Sequence, residues 1–145
     1  MNDSTNPDFL SSMGFDETLG LHIDSASTTE VTGHLDPDDR HRQPYGLVHG
    51  GVACSIVESL GSLGSALFAM ERGMAGSVGM SNTTDFVRPH RDGRLEARAT
   101  AIHQGRSRQI WLVEITRSVD SKLVARGQLQ THNLVSDEVI AETGS

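Results

Sequence analysis

A lone carboxylate, Glu58, sits in a run of Gly, Ala, Ser and aliphatic residues that begins with Gly50-Gly51. Ionised carboxylates are costly to remove from water and are rare in such surroundings without a partner. The two glycines leave the first N–H groups of a helix starting there open to close approach, and an accessible helix N-terminus can hydrogen-bond a developing oxyanion. A carboxylate for the attack and an N–H for the carbonyl oxygen are the minimum equipment for acyl transfer. Three further polar residues flank this pair. Ser62 follows Glu58 by four residues, one turn on along the same face, where its hydroxyl either orients the carboxylate or bonds back to its own backbone. His49 either donates to a substrate or caps the helix with its ring. Gln43, a polar residue in a polar loop, has the weakest standing on chemistry alone.

The spacing adds a constraint. Gly50 and Glu58 are eight residues apart, so on one α-helix they differ by roughly 12 Å of axial rise. No carbonyl carbon lies within about 3 Å of both. If they serve one substrate, they come from different copies of the chain. Two such helices running antiparallel side by side place Gly50 of each copy near Glu58 of the other, which predicts a two-fold dimer with two shared sites.

The elements that position these residues follow from periodicity and turn signals. Asp8 starts a short helix carrying Phe9, Leu10 and Met13 and ending near Gly14; 19–23 and 30–35 read as strands, with Asp36-Pro37-Asp38-Asp39 as a turn. Residues 40–48 form a loop into a helix over about 49–70, with Val52, Ile56, Leu60, Leu63 and Leu67 at helical spacing. Interior glycines lower the stability of such a helix by roughly 1 kcal/mol each relative to Ala, so packing must enclose it. Runs near 76–88, 94–104, 108–119 and 122–133 are rich in Val, Ile, Thr and Leu and separated by turn signals. One long helix followed by an antiparallel meander predicts an α+β domain with the sheet wrapped around the helix. Residues 1–14 form an N-terminal extension, 15–133 the domain, and 134–145 a loose tail.

Composition narrows the function classes. The 145 residues suffice for one domain, and the net charge of −7 supplies no global basic field for nucleic acid. Six of the 12 Lys and Arg residues, Arg88, Arg91, Arg94, Arg98, Arg106 and Arg108, fall within 21 positions, a cluster suited either to a polyphosphate or to a solvated strand face. The single Cys54 excludes an internal disulfide and reads as a small buried hydrophobe. With no signal-like N-terminus and no apolar run judged long enough to span a membrane, a soluble cytoplasmic protein is expected. The seven histidines lack ligand spacing, and no nucleophile elbow or phosphate-binding glycine motif is present, so neither a metal nor a cofactor is expected.

The combination Gln43, His49-Gly50-Gly51, Glu58 and Ser62 resembles the hotdog-fold thioesterases of the phenylacetate-type (PaaI-like) superfamily. It is most similar to the branch holding the Arthrobacter-type 4-hydroxybenzoyl-CoA, enterobactin proofreading and dihydroxynaphthoyl-CoA thioesterases. The run from Asn82 to Pro89 and Gly93-Arg94-Leu95-Glu96-Ala97 extends the resemblance, which spans about residues 15–133. It implies that Glu58 is the catalytic carboxylate, as nucleophile or general base, and that Gly50 N–H polarises the thioester carbonyl with Gln43 and His49 assisting. Ser62 would stand near the carboxylate, and Gly51, Asn82, Arg88, Arg106 and Ser107 would contact substrate or coenzyme A. Glu58, where the phenylacetate enzymes carry Asp, favours hydroxybenzoyl or 1,4-dihydroxy-2-naphthoyl substrates. The resemblance implies an acyl-CoA or an acyl-carrier-protein substrate and homodimers that pair into tetramers. A hotdog dehydratase is disfavoured because its H-F-P-G-x-P loop is absent; a non-catalytic acyl-CoA sensor is disfavoured because no DNA-binding segment is present.

Overall fold

The computed structural model describes residues 14–135. Helix α1 (Gly14–Leu19) leads into a hairpin of β1 (Leu21–Ala26) and β2 (Glu30–Leu35). A 3-10 turn (Asp39–His41) and a loop precede the 22-residue helix α2 (Gly50–Glu71). Four strands follow: β3 (Gly76–Phe86), β4 (Leu95–Gln104), β5 (Arg108–Arg117) and β6 (Leu123–Leu134). All pairings are antiparallel, and the order across the sheet is β1-β2-β4-β5-β6-β3. Helix α2 therefore carries the chain from one side of the sheet to its far edge, where β3 pairs with β6 alone, and it touches all six strands. This is the α+β arrangement, a sheet curled round one long helix, that the pattern of elements predicts.

The N-terminal helix differs from expectation. It begins at Gly14, where the expected helix ends; Phe9, Leu10 and Met13 lie outside the described residues. Asp16 and Glu17 in its first turn suit the positive end of the helix dipole. Gly20, at φ +78°, then stops it by donating to Asp16 O (3.0 Å), so Leu19 closes a helix rather than opening a strand. At the other end β6 runs to Leu134, one residue past the expected boundary, and the rest of the expected tail, beyond 135, also lies outside the described residues.

The buried face of α2 is rotated from the expected stripe. Val52, Ile56 and Leu60 are buried as the spacing predicts, but Leu63 and Leu67 are only half-buried, and Val57, Gly61, Gly64, Ser65 and Phe68 face the sheet. The physical reason is the size of what lies opposite. A Cβ on Gly61 would stand 2.6 Å from Leu129 Cδ2, and one on Gly64 would overlap the ring of Trp111. Both Leu129 and Trp111 are fully buried. Each such side chain contributes about 1.5–3 kcal/mol by leaving water, which outweighs the roughly 1 kcal/mol of helix propensity lost at each glycine. The helix has the length and mean hydropathy (1.5) of a membrane span, contrary to the expectation that no run qualifies. Its buried face packs in the curl of the sheet, the usual place of a core helix.

β3 carries a bulge between Gly79 and Ser81 that re-phases its side chains. Gly79 faces α2 before it, and Asn82, Thr84 and Phe86 face α2 after it.

Two surface turns are tied by Arg–carboxylate pairs. Arg94 meets Asp36 through two bonds (2.8 and 3.0 Å) and Arg117 meets Asp120 through two more. Hydrogen bonding from these guanidinium groups holds both carboxyls below the usual carboxylate range. A carboxyl depressed in the folded state contributes stability that is complete above its unfolded pKa of about 3.9 and is lost as pH falls through the lower folded value. The Tm of the wild type should therefore drop as pH is lowered below about 4. The D36N/D120N double variant should show a shallower drop over the same range, as thermal melts from pH 6 to 3 would register.

Candidate active site

The loop before α2 is built around two imidazoles. His41 is buried; its Nε2 donates to Leu19 O (2.5 Å), and its Nδ1 accepts from Asp38 N (2.9 Å). His41 O in turn accepts from His49 N (2.7 Å), which fixes the residue before the helix. Arg42 pairs across the loop with Val48, and Val48 N donates to His90 O (2.8 Å). Within the loop, Gln43 Oε1 accepts from Tyr45 N (2.5 Å) and Leu47 N (3.3 Å). The carboxamide oxygen is thus spent on the loop, and the NH2 remains as a donor.

His49 is the N-cap of α2: its Nδ1 accepts from Gly51 N (2.8 Å), while His49 O accepts from Val52 N (3.0 Å). Of the two readings open in the sequence, capping is the one the geometry displays, and it does not preclude the other. With Nδ1 accepting, the neutral ring carries its hydrogen on Nε2, a remaining donor. The cap also divides the glycines. Gly51 N–H is taken, so Gly51 is a capped residue rather than a free donor. Gly50 N–H has no acceptor among the described residues. A Cβ on Gly50 would stand 2.7 Å from Phe86 Cζ, so the Phe86 ring packs directly on the Gly50 Cα.

Glu58 is half-buried rather than fully enclosed. Ser62 Oγ donates to its Oε1 (3.3 Å), the side-chain alternative of the two open for Ser62. On the other side lies Gly79 of β3, where a Cβ would come within 2.6 Å of Oε1. Helix and strand therefore run alongside one another with matched positions: Gly50 against Phe86, and Glu58 against Gly79. Between them Asn82 Nδ2 donates to Cys54 O (2.9 Å), and Asn82 Oδ1 accepts from Thr84 (2.7 Å). Asn82 thereby ties strand to helix through its Nδ2, while its Oδ1 is held by Thr84 of its own strand.

A pocket of about 310 Å³ opens beside the helix start. Gln43, His49, Gly50 and Arg88 line it together with aliphatic residues that include Leu47, Leu95 and Ile115. Glu58 and Ser62 are not among its lining residues. The structure thus brings Gln43, His49 and Gly50 together and keeps Glu58 with Ser62 apart from them.

The arginine cluster disperses. Arg94 and Arg98 are paired with Asp36 and Glu30, while Arg88 and Arg91 donate to Leu123 O (2.6 Å) and Tyr45 O (3.1 Å). Arg106 and Arg108 alone of the six have no side-chain partner among the described residues. Arg88 lies by the start of β6 and Arg108 pairs with His132 near its end, about 30 Å of strand away. One chain cannot apply Arg88 and Arg106 to the same phosphate. The turn carrying Arg106 and Ser107 is held from below by buried Asn133, whose Nδ2 donates to Gly105 O and Arg106 O (both 3.1 Å). Among the described residues no group of three His, Cys, Asp or Glu side chains is placed to hold a metal ion.

The model of the thioesterase superfamily matches residues 45–124, more than half of the chain. The chain belongs to the thioesterase superfamily. As such it is a thioester hydrolase, and its helix-in-sheet architecture is the hotdog fold of its neighbours. A Mycobacterium tuberculosis protein named "Putative esterase Rv1847" is 40% identical over 121 residues, covering 83% of this chain and 86% of the relative. An Escherichia coli protein named 1,4-dihydroxy-2-naphthoyl-CoA hydrolase is 34% identical over 103 residues, covering 71% and 72%. The crystal structure of a Haemophilus influenzae thioesterase matches with a TM-score of 0.79 at 32% identity, covering 88% of this chain and 89% of that one.

Sequence reasoning passed over three residues around the site of this thioesterase: His41, Gly79 and His90. His41 and His90 were lost among scattered histidines, and only the fold reveals that Gly79 abuts a carboxylate. Replacing Gly79 by Ala should displace the Glu58 carboxylate without unfolding the chain, because the colliding atom is the end of a flexible side chain. A fall in kcat of roughly tenfold to a hundredfold is expected, with Tm nearly unchanged. Steady-state rates beside a thermal melt check this, and an unaltered kcat would contradict it.

Proposed function

We propose that this thioesterase hydrolyses an aromatic acyl-CoA of the hydroxybenzoyl or 1,4-dihydroxy-2-naphthoyl kind, in active sites shared between two copies of the chain. The observation that carries the reading is the division of labour along α2. The free N–H at Gly50 and the carboxylate at Glu58 are too far apart to meet one carbonyl, and the pocket at Gly50 lacks a carboxylate of its own. β3 supports the pairing of two copies. It is an edge strand of 11 residues, with Val78, Met80 and Phe86 exposed and Val87 exposed just past its end. Such an edge offers unpaired backbone groups to a second strand. Antiparallel pairing of two β3 edges about a two-fold near Asn82 and Thr83 sets Gly79 of one copy across from Phe86 of the other. Glu58, which lies on Gly79, then approaches Gly50, which lies under Phe86.

In this site the thioester carbonyl oxygen accepts from Gly50 N–H, with the remaining donors of Gln43 and His49 beside it. Glu58 of the other copy, oriented by Ser62, acts by one of two routes. It adds to the carbonyl carbon and expels the thiolate, which takes up a proton, and water then opens the resulting anhydride. Alternatively, it takes a proton from a water that adds to the same carbon. Either route consumes one water and releases acid and thiol, and the thioester is activated enough to need no metal. The name of the Escherichia coli relative supports the aromatic CoA ester. Pairing of dimers into tetramers belongs to the same reading.

A second reading, an acyl-carrier-protein substrate, is compatible with the same exposed arginines. Arg106 and Arg108 are exposed and unpaired among the described residues, on a chain of net charge −7, and they suit an acidic carrier surface as well as a nucleotide.

The E58Q variant should lose roughly 10²- to 10⁴-fold in kcat while melting no lower than the wild type. Mixing the inactive E58A and Q43A chains after dissociation should restore about a quarter of wild-type activity, since half the dimers then hold one intact site of two. Absence of recovery would count against shared sites. The R106A/R108A variant should raise KM for a CoA thioester by about tenfold or more relative to the matching pantetheine thioester. An unchanged ratio, with KM raised instead for the carrier-protein thioester, would favour the second reading.

A further inference from the structure

His90 has a capacity that no step above uses. It is 6% exposed, yet it lines the pocket at Gly50 and the groove adjoining it. Its Nε2 bonds to Gly93 O (2.7 Å). A carbonyl only accepts, so Nε2 carries the hydrogen, and Nδ1 of the neutral ring is a bare acceptor. That Nδ1 has no partner among the described residues. It is not sealed away either, because the only fully occluded side-chain N or O without a partner there is Ser77 Oγ. A buried imidazole fixed in one tautomer, with an acceptor that is unpartnered yet not sealed off, on a residue that lines a largely apolar pocket, has the capacity to receive a hydrogen-bond donor. The other polar side chains of that lining, Gln43, His49 and Arg88, offer donors: Gln43 Oε1 is occupied by the loop, His49 Nδ1 by Gly51 N, and a guanidinium has no acceptor.

Position gives the donor its place on the ligand. His90 O accepts from Val48 N, and Val48 is two residues from Gly50, a span of on the order of 7 Å of extended chain. The His90 backbone thus lies on the order of one aromatic ring from a carbonyl held at Gly50 N–H.

We propose that His90 is a specificity-determining residue of the acyl pocket, accepting through Nδ1 a hydrogen bond from a hydroxyl at the far side of the acyl group. This rests on the acyl-CoA reading above and adds what that reading lacks, the group on the protein that distinguishes a hydroxylated acyl chain from its unsubstituted counterpart. A site holding an unpaired acceptor discriminates against an acyl group that cannot satisfy it, because binding then leaves the acceptor desolvated.

The test compares kcat/KM for benzoyl-, 3-hydroxybenzoyl-, 4-hydroxybenzoyl- and 4-fluorobenzoyl-CoA, fluorine being similar in size but no donor. The wild type should prefer at least one hydroxylated ester over both the unsubstituted and fluorinated esters by roughly tenfold or more. In H90L that preference should collapse, and in H90N, which can return an acceptor oxygen near the same place, it should recover in part. The wild-type preference alone stands as a test should H90L fail to fold. Hydrolysis of all four esters without preference, or a preference undiminished in both variants, overturns the role of His90 and leaves the acyl-CoA reading intact. Failure to hydrolyse any of them, or 1,4-dihydroxy-2-naphthoyl-CoA run beside them, overturns the aromatic acyl-CoA reading and this inference together.

Discussion

Leu129 and Trp111 occupy the space that side chains at Gly61 and Gly64 would fill, and the rest of the architecture depends on that approach. A helix kept away by ordinary side chains would rest on the tips of the sheet residues. Here the sheet residues meet its backbone, and the closeness extends along the helix. It is what allows Asn82 to reach Cys54 O, Gly79 to lie on Glu58 and Phe86 to cover Gly50. Helix propensity given up in the middle of α2 is offset by burial of the largest side chain in the core. The result is a carboxylate and an N–H donor each held against a named residue of one strand.

The residues around Gly50 share an economy of hydrogen bonding. Gln43 uses its carboxamide oxygen to shape the loop, His49 uses Nδ1 to cap the helix, and His90 uses Nε2 to hold the turn at Gly93. Each bifunctional side chain is anchored by one polar atom, which leaves the other with fixed direction and no partner. Anchoring in this way removes rotamer freedom before a ligand arrives, so less ordering remains to be done on binding. Backbone contributes in the same manner, since capping Gly51 singles out Gly50 as the uncapped donor.

Much of this was legible in the residues. The bounds of α2 and of four of the strands followed from periodicity and turn chemistry, because aliphatic runs between Gly, Pro and Asp clusters admit few alternatives. The Gly50–Glu58 separation was legible too, being a matter of helix rise. The buried face of α2 was not, because Leu63 and Leu67 outrank glycine on any hydropathy scale, and only the bulk of Trp111 and Leu129 opposite explains the rotation. The arginine cluster left two readings open in the sequence, and its dispersal over the sheet matches the solvated strand face for Arg94 and Arg98. Neighbours in sequence, Arg88 and Arg106 are carried to opposite ends of the sheet by β4 and its turns. The bond of Asn82 to the helix carbonyl of Cys54 was not legible either, because it depends on the register of β3 beside the helix.

The extra residue in β3 between Gly79 and Ser81 acts like a frame shift in the strand's two-residue alternation. Counting by twos from Gly79 without it would present Ser81, Thr83 and Asp85 to the helix in place of Asn82, Thr84 and Phe86. A carboxylate would then lie over the one N–H left open at the start of α2, opposing the negative charge that a reacting carbonyl oxygen acquires. On the reading proposed for Gly50, the irregularity in hydrogen-bond register acts as an electrostatic safeguard, keeping an acid of the same strand on the opposite surface of the sheet.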